Sequence, residues 1–312
     1  MSQTTRESGF VPLSVSSIED ENISCTYHSP IPKNIAESPA DPCILGVDEA
    51  GRGPVLGAMV YALSYCPKQY ESTLSNSGFA DSKTLTHQVR MNLFEQLCRE
   101  SDQDDSLFAN VGYATRIMSA RDISKGMLQS HHSGSYNLNE QAHDTTIALI
   151  SDVYRAGIKI EEIYVDTVGP PESYQAKLSK HFPQAKIRVT KKADSLFPIV
   201  SAASVCAKVT RDLALLRRSE AGSASSPGTE YGEMADWGSG YPGDARTVTW
   251  LKENLDPVFG WSPVVRFSWG TAKDLLDKND NFVKVDWPDA NGKLDFTAQI
   301  KKEYWFGNPA TI

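Results

Sequence analysis

The chain has 312 residues, 40 % of them apolar and 22 % charged, with 21 Gly and 17 Pro, a composition that excludes a collagen helix, a coiled-coil rod and a wholly disordered polymer. No run approaches the roughly 18 consecutive apolar residues that span a bilayer, and the opening MSQTTRESGF has no apolar secretory core. The net charge of −8 argues at face value against a polyanionic partner.

In chain order, residues 1–42 carry eight Ser, five Pro and six acids against two bases with no sustained apolar period, which predicts a mobile acidic leader and a fold that starts near Cys43. CILGVD (43–48), VLGAMVYALSY (55–65) and FANVGYATRI (108–117) are apolar runs of strand length and composition. Between Thr145 and Tyr154, Ile147, Ile150, Val153 and Tyr154 share a helical face that Gly157 ends. IEEIYVDTV (160–168) then reads as a strand, PESYQAKLSKHF as a helix opening at Pro171, and KIRVT (186–190) as a strand. Ser195–Arg218 reads as one long amphipathic helix with Asp194 as its N-cap. SEAGSASSPGTEYGEMAD (219–236) reads as a flexible insertion, and the chain after Asp244 as more helical. The expected architecture is an α/β layered core over 43–218 with a helical C-terminal region over 237–312. Five widely spaced cysteines without a C-x-x-C pair indicate ordinary thiols in a reducing compartment rather than a disulfide framework or a zinc ribbon.

Charge is unevenly distributed. Between Ser173 and Arg218 ten bases face only Asp194 and Asp212, so this stretch is strongly basic in an acidic chain. Such a run is either a solvated face or a phosphate-contacting one. Acidic side chains stand at three element ends: Asp48 and Glu49 after the first strand, Asp166 inside IYVDTV, and Asp194 after Lys191 and Lys192. Singly, each has an ordinary reading as a polar turn, a strand end turned to water, or a helix cap. Together they offer hard oxygen ligands with no Cys or His cluster nearby, which suits Mg²⁺ or Mn²⁺ rather than zinc. Two such ions would offset the acids' mutual repulsion and admit a phosphate, which points to phosphodiester hydrolysis. Gly51, Gly53 and Gly57 also loosely imitate a dinucleotide fingerprint, but PVLGAMVY after them reads as a strand, not the helix that fingerprint must open.

LGVDEAGRGPVLGAMVYA, DSKTL (81–85), YNLN (136–139), VDTVGPPESYQAKL, KKADSLFPIVSAASVCAKVTRD, GSGYPGD and VRFSW closely resemble the type 2 ribonuclease H family, in its order and from about Leu45 to Trp269. The resemblance implies an RNase H-like fold, a central mixed sheet with flanking helices, and endonucleolytic cleavage of RNA in RNA/DNA hybrids and 5′ of single ribonucleotides in duplex DNA. By motif position it makes Asp48, Glu49, Asp166 and Asp194 the catalytic, metal-binding carboxylates of a two-ion site, with Asp48 bridging. It assigns Gly51, Arg52 and Gly53 to the ribose 2′-hydroxyl, which separates RNA from DNA, and Tyr241 to packing on the sugar. Lys83, Lys192, Ser204 and Lys208, with Ser82 and Ser201, stand as substrate-binding candidates or as packing and surface residues. Asn137 and Asn139 either contact substrate or cap the following helix, capping being preferred. The family's eukaryotic branch works as a heterotrimer with two noncatalytic subunits, which implies a nuclear protein whose aromatic tail (Trp287, Phe296, Tyr304, Trp305, Phe306) docks partners or covers its own core. A catalytically silent nucleic-acid-binding chain is the competing reading, and the retention of all four acids separates the two.

Overall fold

The computed structural model describes residues 10–79, 85–128, 136–222 and 237–278. Lys83 and Ser82, most of the 219–236 insertion and the aromatic tail lie outside the described residues. In chain order the elements are α1 (Leu13–Ser16), β1 (Cys25–His28), α2 (Lys33–Glu37), β2 (Cys43–Ala50), β3 (Met59–Pro67), α3 (Glu71–Asn76), α4 (His87–Cys98), α5 (Leu107–Asn110), β4 (Gly112–Met118), α6 (Ala120–Leu128), α7 (Leu138–Arg155), β5 (Ile160–Asp166), α8 (Pro171–His181), β6 (Lys186–Thr190), α9 (Ala193–Leu196), α10 (Pro198–Gly222), α11 (Ala245–Glu253) and α12 (Gly270–Asp277). No described helix is long and apolar enough to cross a membrane.

The six strands form one mixed sheet in the order β1-β4-β3-β2-β5-β6. β2 pairs antiparallel with β3 and parallel with β5, so the sheet changes character at its central strand. Alternation along β2 sends Ile44 and Ala50 to the face covered by α10 and α4, and Cys43, Leu45 and Val47 to the face covered by α7 and α8. Both faces are dry, which is why β2 and β3 read as nearly continuous apolar runs.

The contact between α10 and β2 is unusually close. A Cβ at Gly46 would stand 2.5 Å from the backbone C and O of Ile199, nearer than real side chains come. Ser64 on the neighbouring strand donates its Oγ hydrogen to the Ile199 carbonyl at 2.6 Å. The small residues of SAASVCAK, wholly buried except for Lys208, let the helix lie against the sheet.

Several sequence expectations need correction. The fold does not start near Cys43: β1 pairs with β4 across Cys25–His28, and Val15 and Ile18 are buried in the α10-side core. The cause is tertiary. Arg217, at the basic end of α10, donates from Nη1 to the Val15 carbonyl at 2.7 Å and from Nη2 to Ile18 O at 2.9 Å, and faces Glu21 at 3.5 Å. Arg218 donates to Asn22 Oδ1 at 2.9 Å. The acidic leader therefore partners part of the basic segment, which the charge count alone does not reveal.

β3 starts at Met59 rather than Val55 because the Val55 and Leu56 N–H groups donate to Gly240 O and Leu56 bridges Val265. These two residues enter a third cluster with Leu251, Trp261, Val264 and Val265. α10 starts at Pro198, not Ser195, because Phe197 takes an extended conformation (φ −127°, ψ 114°) before proline. Asp194 is consequently inside the short α9 rather than an N-cap.

Arg217→Ala is expected to lower stability by about 1–2 kcal/mol through its lost carbonyl contacts and to speed amide exchange over residues 13–22 far more than in β2 or β3. Hydrogen exchange detected by mass spectrometry checks this, and an unchanged leader would contradict the assignment.

Candidate active site

The ladder between β2 and β5 ends at Val47 opposite Val165, so Asp48 and Asp166 come next to each other just as the paired strands part. This is the carboxyl end of two parallel strands beside a reversal of strand direction, where open α/β sheets place their ligands. Asp48 lies two residues after Gly46 and shares its α10-facing side. Glu49 points to the other face, where its charge is felt by Tyr61 and Tyr174. Adjacent residues thus straddle the strand end.

Asp194 reaches the same crevice by a sharp turn. Lys192 adopts the left-handed conformation (φ 57°, ψ 40°), the only described non-glycine residue with positive φ. Such a conformation costs a non-glycine residue of order 1–3 kcal/mol and persists where surrounding contacts hold it. The turn lets the Ala193 N–H donate to Asp166 Oδ1 at 3.0 Å, which joins the start of α9 to the end of β5. Asp48 and Asp194 are 6 % and 5 % exposed.

Burial is the largest influence on Asp48, with repulsion from Asp166 and Asp194 added, and together they push its carboxyl up to about 7. Glu49 is raised well above the usual carboxylate range by burial and by the charges of Asp48, Asp166 and Asp194, against which Arg52 acts. Two contacts favour ionised Asp48: the Glu49 N–H donates to its Oδ1 at 2.8 Å, and the Ser204 hydroxyl faces it from beyond a formed hydrogen bond. Among the described residues no three His, Cys, Asp or Glu side chains are already closed around a single point. The donor set nevertheless fits a hard divalent cation: four carboxylates, all oxygen donors, of which Asp48 and Glu49 are held back from ionising by burial and by the charges of the others.

Next to the acids lies the glycine loop. Gly51 has φ +81°, and a Cβ there would meet Ala58 O at 2.9 Å and Arg211 Cγ at 3.3 Å, so backbone and guanidinium pack where a side chain would be. A Cβ on Gly53 would stand 3.0 Å from Tyr241 Cε1. The ring of Tyr241, 46 % exposed, therefore covers Gly53 and still faces solvent. Gly240 O accepts from Val55 N at 2.8 Å, and Gly240 N donates to Thr247 Oγ1 at 3.0 Å, which ties the tyrosine's turn to the loop.

The remaining candidates divide. Ser201, Ser204 and Lys208 fall on one face of α10 by helical spacing, with Lys208 half-buried, and Lys192 is exposed at the rim with Lys191. Lys177 is engaged by Glu140 and Asp144 at 2.9 and 3.0 Å. Asn137 caps α7, accepting from Asn139 N and Glu140 N. Asn139 instead accepts from the Arg52 guanidinium, so α7 is joined to the glycine loop. Sequence reasoning missed Arg211, Arg266 and Trp269, all of which touch this loop. The signal for Arg266 was available: a cation between apolar neighbours in VVRFSW.

A family model described as Ribonuclease HII matches residues 45–272. The chain is 52 % identical to a ribonuclease H2 subunit of Schizosaccharomyces pombe over 96 % of its own length and 89 % of the relative's. It is 43 % identical to the Homo sapiens counterpart over 89 % and 86 %. Among solved structures, ribonuclease H2 from Pyrococcus horikoshii superposes with a TM-score of 0.58 at 31 % identity, covering 76 % of this chain and 100 % of that one. A ribonuclease HIII in complex with Mn²⁺ shares the fold, with a TM-score of 0.55 at 16 % identity over 78 % of this chain and 71 % of that one. With its mixed sheet and most of its length matched, the chain belongs to the ribonuclease HII family and falls in the activity class of type 2 ribonucleases H, endoribonucleases that cleave RNA.

Proposed function

We propose that the protein hydrolyses the RNA of RNA/DNA hybrids and the phosphodiester on the 5′ side of a single ribonucleotide in duplex DNA, leaving 3′-hydroxyl and 5′-phosphate ends. The observation that carries this reading is a juxtaposition: Asp48 and Glu49 within electrostatic reach of Asp166 and Asp194, beside a glycine loop covered by an exposed tyrosine ring. The acids supply the means of hydrolysis, and the loop and ring a surface on which a ribose can be told from a deoxyribose. The 2′-hydroxyl is both donor and acceptor, and is the feature that separates the two sugars.

Asp48, Glu49, Asp166 and Asp194 would hold two divalent ions, Mg²⁺ or Mn²⁺, with Asp48 shared between them. When bound, such a pair supplies an activated water and stabilisation of the leaving oxygen. The chain's own residues prepare the site. Ser204 and the Glu49 N–H bias Asp48 toward its ionised form, Ala193 N–H fixes one oxygen of Asp166, and Arg52 moderates Glu49. Gly51 and Gly53 leave backbone groups open to the sugar, Tyr241 packs on it, and Lys192, Lys208, Ser204 and, outside the described residues, Lys83 contact phosphates. The relatives are named as one subunit of ribonuclease H2, which supports an assembly of several chains in which two noncatalytic partners complete the enzyme. A nuclear location and a part in removing misincorporated ribonucleotides and RNA primers complete the proposal.

Asp48→Asn is expected to reduce ion-dependent cleavage of a single-ribonucleotide duplex by at least about 100-fold while leaving hybrid affinity within about threefold. Sequencing-gel analysis of product ends and anisotropy check the two arms, and turnover at the normal rate would contradict the ligand assignment.

The carboxyls raised in the folded state contribute stability at pH values below the ordinary carboxylate range and lose it as pH rises through about 7. The melting temperature in EDTA should therefore fall between pH 5 and pH 8, and millimolar Mn²⁺ should restore it more at pH 8 than at pH 5. A metal effect of equal size at both pH values would contradict the cluster.

A further inference from the structure

Arg266 is fully buried, and no carboxylate pairs with it in the ion pairs of the described residues. Its guanidinium is compensated by backbone carbonyls instead. Nη2 donates to Gly51 O at 2.7 Å, Nη1 to Arg52 O at 3.2 Å and Nε to Gly57 O at 2.9 Å. Its plane lies over the Trp269 ring, 4.7 Å from the centroid, and Trp269 Nε1 donates to Gly53 O at 3.1 Å. Carbonyls 51, 52, 53 and 57 are thus all drawn toward one buried arginine and the half-buried tryptophan it stacks on.

The consequence follows from peptide geometry. In a trans peptide the carbonyl and the next N–H point in opposite directions, and the chain has no cis bonds among its described residues. With Gly51 O and Arg52 O directed at Arg266, the N–H groups of Arg52 and Gly53 are directed away from it. Residue 54 is proline and offers no N–H. The loop therefore presents two N–H donors in a fixed orientation, next to the Tyr241 ring that covers Gly53. Donors oriented before the ligand arrives cost no ordering on binding.

We propose that Arg266, supported by Trp269, is a positioning residue for ribose recognition: it sets the peptide planes of residues 51–53 so that the Arg52 and Gly53 N–H groups address the sugar and its phosphate. The inference rests on the substrate class proposed above and deepens it. Lysine cannot replace arginine in this role, because one ammonium on a flexible stem lacks the rigid fork that reaches several carbonyls at once.

The test compares wild type, Arg266→Lys and Trp269→Phe on two duplexes of identical sequence, one with a single ribonucleotide and one all DNA. Affinity is measured by anisotropy in EDTA, cleavage with Mg²⁺, and the folded fraction by thermal melting. Arg266→Lys should lower the preference for the ribonucleotide duplex by about tenfold or more, and Trp269→Phe, which removes one hydrogen bond and keeps a ring, by about threefold. Affinity for the all-DNA duplex should stay within about twofold in both. Losses equal on the two duplexes would make the arginine merely structural and overturn the proposal, as would an unchanged preference. If Arg266→Lys does not fold, Trp269→Phe decides by the same criterion. A wild-type protein without preference for the ribonucleotide would instead overturn the proposed function.

Discussion

The site depends on the absence of a side chain at Gly46. Because nothing projects from that position, the backbone at Ile199 sits directly on β2, and α10 is held at a depth that no longer residue would allow. From this contact, helical spacing carries Ser204 to Asp48 and Arg211 to Gly51. The preceding turn at Lys192 carries Asp194 to the end of β5. Acids from three segments of the sequence are thereby gathered at the C-terminal ends of the interior strands β2 and β5 and on the short helix α9.

Electrostatics explains why the assembly needs its surroundings. Asp48 and Glu49 resist ionising beside Asp166 and Asp194, and the cations around them serve separate ends. Arg52 is near enough to act on Glu49, Arg211 and Arg266 pack against the loop, and Arg217 and Arg218 are directed to the leader. The basic stretch, open on sequence between a solvated face and a phosphate-contacting one, thus has Arg217, Arg218 and Lys177 engaged within the protein itself. The acidic leader, read as a tail on composition, is the counterpart that the end of α10 requires.

Local patterns were legible wherever the neighbours in sequence were also the neighbours in space. KIRVT is the strand β6 to the residue, and Asn137 caps α7 as its type and place suggest. β1 was not legible, since CTYH alternates between exposed and half-buried positions and depends on β4, far along the chain, for its ladder. The break between α9 and α10 was written in Phe197-Pro198 but outweighed by the apolar periodicity around it. The four acids stood out only as a set, because together they offer hard oxygen ligands with no Cys or His cluster nearby. Arg266 was legible only as a cation among apolar neighbours in VVRFSW; its role was not, because the carbonyls it satisfies lie 209–215 residues earlier.

The closeness of α10 to β2 holds the carboxylates in place. Gly46→Ala tests it most directly, read by melting temperature and by the rise in melting temperature that Mn²⁺ produces. The added methyl is expected to lower stability by about 1–3 kcal/mol and to weaken the Mn²⁺ effect in whatever protein remains folded. A variant that melts like wild type and gains as much from Mn²⁺ would show that the helix can shift without disturbing the acids, and would contradict it.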